Sequence, residues 1–466
     1  MNSSTLNNDI QKKRHQAQVH QNLMPKPFGL YGKIWVILLV MITSIGLYFY
    51  IQQLRKGLII TGLRDYTIWG IYIANFVFFV AISLVGSLVA AILKLSNVKW
   101  RTPLTRISEM IAVAAILMAG LVIIVDMGRP DRIMNVIIHA RIQSPITWDV
   151  MVITTYLFIS VLLLYLPLLP DLAIMRDRMK DIPKWQQKMY AFLANNWRDT
   201  PEQKKILTKA ITMLSVLIIP IAFGIHTVTS WLFATTFRSG WDSTNFGPYF
   251  ISGAFMVGAG GVIAAMFILR KSYKLDHYIT DNHFDKMGKL LVLLSLIYLY
   301  FNVNEYFIPA YKMKGSESEH LRELFTGSYA PLFWSVQIGG MIIPILLLLF
   351  RKYRKPFPMF LIAILVIVGA WFKRFLIVIP TLNHPYFPMD QAPEAWRHYT
   401  PTLAEWFITG GTLTGSLLII TLLVRFLPII PIAETLEEEA EAEYEEKLHA
   451  DHPMESIYDE PIILKP

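Results

Sequence analysis

The chain contains no cysteine. It therefore forms no disulfide, and it cannot hold an iron–sulfur cluster on thiolates. Charge is scarce as well: Asp, Glu, Lys and Arg make up 17% of the residues, against about 25% in an average soluble domain. Histidine is sparse where it would matter for haem. Of the eleven histidines only His226 lies well inside an apolar stretch. A bis-histidine haem b needs two imidazoles facing each other from matched depths, so no such haem is expected. No HExxH or other two-histidine metal pattern occurs, and no metal site is expected. No nucleic-acid-binding motif accompanies the net charge of +9. A cleavable signal peptide is missing too: residues 1–33 are polar and basic, and the first apolar run lacks a small-residue cleavage site. That run is expected to stay in place as a first membrane span.

Apolar residues dominate, at 54%, with 13% aromatic. A membrane-spanning helix needs about 20 mostly apolar residues. About ten stretches have that character: 34–51, 68–94, 104–125, 146–169, 206–236, 248–270, 287–311, 331–350, 357–380 and 402–428. The expected fold is an all-α polytopic membrane protein. The fifth stretch is the least regular, carrying Pro220, His226 and several Thr and Ser. Such residues are tolerated when neighbouring helices satisfy the freed backbone groups.

Loop charge sets the orientation. The loops after the even-numbered spans hold 22 Lys and Arg, and those after the odd-numbered spans hold 11. The N-terminal tail adds Lys12, Lys13, Arg14, Lys26 and Lys33. The tails and the even loops are therefore expected in the cytoplasm, and this inside bias accounts for most of the net charge. Four segments follow: a cytoplasmic tail 1–33, spans 1–5 over 34–236, spans 6–10 over 248–428, and an acidic cytoplasmic tail 429–466. The loop 170–205 is long enough for one or two amphipathic surface helices, with Trp185, Tyr190, Phe192 and Trp197 at the interface. Residues 434–448 form either a short solvated helix or a dock for a basic partner.

Ionisable groups in or beside spans usually face the bundle interior, and they often mark substrate or proton routes. The connection from Asp126 to Asp149 reads DMGRPDRIMNVIIHARIQSPITWD and is expected on the outer face. Asp126, Arg129, His139, Arg141, Asp149 and His226 would lie at a similar depth. A neutral His accepts a proton near physiological pH and a carboxylate relays it, which is what quinol oxidation requires. Trp148 and Phe76 would supply an aromatic wall. The competing reading makes Asp126–Arg129 an ion pair that caps span 3, with His139 and His226 as hydrogen-bonded structural groups. In the second half Lys373 and Arg374 fall mid-span and call for counter-charges. Glu305 and Glu405 are the natural partners, with Asp242, Asn302, Asn304 and Gln337 nearby. Such a set either relays protons or forms a buried structural network.

The turn DMGRPDR and the segment SPITWD resemble those of the NrfD-like family, typified by the polysulfide-reductase membrane anchor. So do WGIYIANFVFF, Phe333–Trp334 and YTPTLAEW. The resemblance covers about residues 30–430. Within the family, the chain length, the ten spans and the acidic tail are most similar to the larger quinol-oxidising membrane subunit (ActC) of bacterial alternative complex III. The resemblance implies two four-helix bundles, spans 2–5 and 6–9, flanked by spans 1 and 10. It implies a menaquinol or ubiquinol site in the first bundle near the periplasmic face of the bacterial inner membrane. Electrons would pass to a periplasmic iron–sulfur subunit and then to multihaem cytochromes c, with a second NrfD-like membrane subunit alongside. No redox centre is expected on this chain, and proton translocation would be a further role. Two other functions fit the residues: an ion or solute transporter built on Lys373, Arg374, Glu305 and Glu405, and a purely structural membrane anchor. Gly/Pro-broken half-helices would mark the transporter. Pro220, Pro344, Gly258, Gly260 and Gly261 are only a weak version of that pattern.

Overall fold

Inside a bilayer a single segment satisfies its backbone polar groups only as a helix, and helix is what the apolar runs form. The computed structural model describes residues 19, 22–65, 67–95, 99–236, 238–383, 393, 396 and 398–440. The expected features of residues 1–18 and 441–466, including most of the acidic tail, lie outside the described residues.

Twelve helices carry the argument. They are α1 (Leu30–Lys56), α2 (Ile71–Leu95), α3 (Thr102–Asp126), α4 (Pro145–Arg178), α5 (Lys184–Leu193) and α6 (Pro201–Ala234). After these come α7 (Phe246–Tyr273), α8 (Asp281–Lys312), α9 (Gly315–Phe325), α10 (Ala330–Leu349), α11 (Pro356–Leu382) and α12 (Leu403–Phe426). Among the described residues nine of them are long and apolar enough to cross a membrane. The second expected span is α2, 25 residues long, whose described apolar stretch is Ile71–Leu84. The protein is an all-α polytopic membrane protein.

The helices α2, α3, α4 and α6 pack against one another around the first set of polar residues. A second set is formed by α7, α8, α10 and α11, and α7 also lies against α2 and α6. Beside them α1 and α12 form a tight pair. A Cβ on Gly46 would lie 2.7 Å from the Cα of Gly411, so only glycine permits that crossing. Thr43 and Thr414 share a hydroxyl hydrogen bond at 3.0 Å close by. Pro220 sits inside an unbroken α6. Within α10, Pro344 has no N–H for the Gly340 carbonyl, and residues Ile338–Ile342 relax into a π-helical turn.

Because the spans alternate in direction, the Lys/Arg-rich loops share one end, here the basic end. The loops 57–70, 127–144, 235–245 and 313–329 share the other, the distal end. At the basic end Arg106 is fully buried and meets Asp171 at 3.2 Å. The other oxygen of Asp171 accepts the backbone N–H groups of Ile432 and Ala433 at 3.1 and 2.9 Å. Arg101 pairs with Glu434 at 2.7 Å. The chain after α12, helical over 432–440, is thereby folded across that end. In the 170–205 loop, Trp185 and Phe192 are exposed as expected for an interface. Tyr190 and Trp197 are instead buried, and the Tyr190 hydroxyl donates to the Phe426 carbonyl at 2.9 Å.

Candidate functional site

The distal end of the first bundle is ordered by the start of α4. Pro145 takes the first helical position, where its missing N–H costs nothing. The Trp148 indole donates to the Ile142 carbonyl and meets Trp231 edge-on, with ring centroids 6.3 Å apart. This pins the polar loop to α4 and α6. One residue later Asp149 turns inward. It is 4% exposed and accepts the Thr229 hydroxyl at 2.7 Å. One turn before Thr229 on α6 sits His226, also buried. Its Nδ1 lies 3.2 Å from the Ala222 carbonyl, an acceptor, so Nδ1 is assigned the proton. Nε2 is then a free acceptor, buried and without a hydrogen-bond partner. His226, Thr229, Tyr249, Tyr298 and Arg374 line a cavity of about 10 Å³ between the two bundles. That is room for about one water molecule, and far too little for a quinone ring.

The other residues singled out in this half are distributed differently. His139 follows the short turn Asn135–Ile138 and is exposed, as is Arg141. Arg129 does not cap α3 through Asp126. It forms a two-pronged pair with Asp131 at 3.0 and 2.9 Å, because the sharp turn at Gly128 (φ +66°) carries it away from the helix end. The pair holds the Asp131 carboxyl below its usual range and raises the guanidinium above its own. Phe76 is a core residue, only 1% exposed, so it lines no open site. Asp126 ends α3 with a buried Oδ1 that has no hydrogen-bond partner, within electrostatic reach of Tyr72 and Glu405. Beside it Gln53 donates to the Val125 carbonyl and accepts the Tyr72 hydroxyl, both at 2.8 Å.

In the second bundle two expected pairings fail. Glu405 is buried but is not a partner of Lys373 or Arg374. One of its oxygens accepts the N–H groups of Gly62 and Thr402 at 2.8 Å each, and the other accepts the Tyr399 hydroxyl at 2.6 Å. It is the capping-box residue of α12 and staples the 57–70 loop. Among the described residues no carboxylate lies within salt-bridge distance of Lys373 or Arg374. Lys373 instead donates to the Tyr306 hydroxyl, and its Nζ sits 4.5, 5.6 and 5.8 Å from the ring centres of Tyr306, Phe333 and Tyr249. Cation–π attraction substitutes for an ion pair. Arg374 donates to the Ala370 carbonyl at 3.1 Å. Glu305 is within electrostatic reach of Lys373, yet its hydrogen bonds come from the neutral Ser243 and Asn245, at 2.9 and 3.0 Å. Asp242 is exposed at the distal surface.

A buried polar chain runs beside these groups. The Tyr298 hydroxyl donates to that of Tyr249 at 3.3 Å, and Tyr249 donates to Asn302 at 3.2 Å. Asn302 in turn donates to Gln337 at 2.9 Å. Thr229, Tyr249, Tyr298 and Tyr306 were not singled out from the sequence. Their signal was helical spacing: Thr229 lies three residues from His226, and Tyr298 four before Asn302, each pair on one face.

Residues 60–385 match the family described as "Polysulphide reductase, NrfD". A membrane subunit assigned to a dimethyl sulfoxide reductase of Halobacterium salinarum is 28% identical over 426 residues, covering 86% of this chain and 92% of that protein. A selenate reductase subunit of Mesobacillus selenatarsenatis is 23% identical, covering 85% and 94%. The menaquinone reductase integral membrane subunit of Nitratidesulfovibrio vulgaris is also 23% identical, covering 85% and 92%. With a family match over most of its length and a helix-only membrane fold, this chain belongs to the NrfD polysulphide reductase family.

Proposed function

We propose that the chain is the quinol-handling membrane subunit of a quinone-linked oxidoreductase. Asp149, held by Thr229 beneath the loop that carries His139, is the observation that supports this most. Quinol oxidation releases two protons and two electrons. His139, exposed at the distal surface, takes a hydroxyl proton, and Asp149 relays it. Arg141 and Trp148 stand at the rim. His226 and Asp126 are the buried acceptors behind it, and Arg129 orders the adjoining turn. The name of the Nitratidesulfovibrio relative favours menaquinol as the quinone. Electrons pass to an iron–sulfur subunit docked at the distal face, taken as periplasmic, and onward to multihaem cytochromes c, with a second NrfD-like membrane subunit alongside as in alternative complex III. Quinol oxidation by the purified complex, compared between the native protein and Asp149→Asn, tests the site. Unchanged turnover and quinol affinity would remove Asp149 from it.

The second bundle favours a proton relay. Lys373 and Glu305 are both buried and within electrostatic reach of each other, yet each is hydrogen-bonded to neutral groups, an arrangement whose cost points to use. Neither the transporter nor the bare anchor reading gains a comparable observation.

A further inference from the structure

The helix α9 lies across the distal ends of α8, α10 and α11, and neither the quinol site nor the polar chain uses it. Beneath it is a cavity of about 30 Å³, room for about two water molecules. Glu305 and Tyr306 line it from α8, and Glu317 and His320 line it from α9. His320 is 93% buried, and its imidazole occupies space that only a glycine leaves. A Cβ on Gly240 would come within 2.7 Å of its Nε2, and Gly240 itself has φ +91°. The Gly240 loop is anchored by Trp241, fully buried and bonded to the Ile377 carbonyl at 2.7 Å.

Two prolines interrupt the helical hydrogen bonding beside the same cavity. Pro309 lies inside α8 and Pro380 inside α11. Each lacks the N–H that would engage the carbonyl four residues earlier. Those carbonyls belong to Glu305 and Leu376, both lining residues. A buried water needs two to four polar partners, and the two carboxyls, the imidazole and the phenol of the lining residues supply them.

We infer that this cavity is the distal proton port of the second bundle, with His320 passing protons between surface water and Glu305. The step moves only protons: an imidazole nitrogen takes one from water, and the proton on the other nitrogen leaves through the cavity water for the Glu305 carboxylate, or the reverse. The inference rests on reading the second bundle as a proton relay.

The test is proton translocation per electron in the whole complex reconstituted in liposomes. His320→Ala is expected to remove most of it, since a proton-transfer group is typically worth about 10²- to 10⁴-fold in rate, with electron transfer to an artificial acceptor unchanged. Added imidazole should restore it, because the vacated space beside Gly240 is imidazole-shaped. Thr381→Leu, which fills the cavity from α11, should lower translocation without rescue. A loss in His320→Ala that imidazole does not restore makes the residue structural and overturns the port. Glu305→Gln separates the two ideas. If it stops translocation while His320→Ala and Thr381→Leu translocate normally, only the port falls. If it translocates normally, the relay falls and the port with it.

Discussion

The Thr229 hydroxyl on α6 and the Asp149 carboxylate on α4 meet at 2.7 Å, both buried. The contact ties the helix that opens at the polar loop to the helix that carries His226. A buried acceptor deprived of its donor costs about 1–3 kcal/mol. Thr229→Val keeps the shape and removes only the donor. It is expected to slow quinol oxidation less than Asp149→Asn, for which a loss of about 10²- to 10⁴-fold is expected. His139→Ala should fall in the same range with the complex still assembled. Steady-state turnover of the purified complex checks all three, and native rates in Asp149→Asn or His139→Ala would refute the assignment for that residue.

The aromatic cage of Lys373 makes the next prediction. Cation–π contacts are worth about 2 kcal/mol or more when desolvated, so the ammonium can be held without a fixed counter-ion. Lys373→Met and Glu305→Gln are each expected to reduce protons moved per electron while electron transfer to an artificial acceptor continues. Tyr306→Phe, which keeps the ring and loses the hydroxyl, should have the smaller effect. A fall in thermal stability with unaltered stoichiometry would assign the network a structural role instead.

How far the sequence reached has a physical explanation. Hydropathy gives depth along a span, so the helices and the distal clustering of Asp149, His226, Glu305 and Lys373 were legible. It says little about azimuth. Glu405 and Lys373 were matched by depth, yet Glu405 faces the 57–70 loop while Lys373 faces α8 and α10. Tyr190 and Trp197 have the composition of interfacial anchors, but both are buried, Tyr190 with its hydroxyl bonded to Phe426 at the end of α12. The Arg129–Asp131 pair was hidden by one glycine, because Gly128 turns the backbone after Asp126. Lining tyrosines look like ordinary core residues until the neighbouring helix is known.

Glu405 should behave as a structural residue. Losing an N-cap partner costs about 0.5–2 kcal/mol, and the Gly62 and Tyr399 bonds are lost as well. Glu405→Ala is therefore expected to lower the unfolding temperature clearly, and Glu405→Gln less so. Neither should change proton stoichiometry. Tyr399 adds a pH signature. Burial first, and then the Glu405 charge, raise its hydroxyl pKa far above the ordinary value. The native state thus keeps a proton that the unfolded chain releases above about pH 10, so stability is complete below that pH and declines as the pH rises further. Thermal unfolding at increasing alkalinity measures this, and an identical decline in Tyr399→Phe would show that other groups are responsible.

The last prediction concerns orientation. Lys and Arg favour the cytoplasmic side of short loops, and the loops at the basic end carry 22 of them against 11 at the distal end. Both ends of the chain are then predicted to lie inside, with the His139 loop facing out. The absence of native cysteine allows a clean test. Ile142 is 77% exposed in the distal loop, and Phe192 is 83% exposed on α5 at the basic end. In intact cells a membrane-impermeant maleimide should label Ile142→Cys and leave Phe192→Cys untouched, and permeabilised cells should show both. The reverse pattern would invert the protein in the membrane. It would move the candidate quinol site and the α9 cavity to the cytoplasmic face, where an iron–sulfur partner would have to be sought instead.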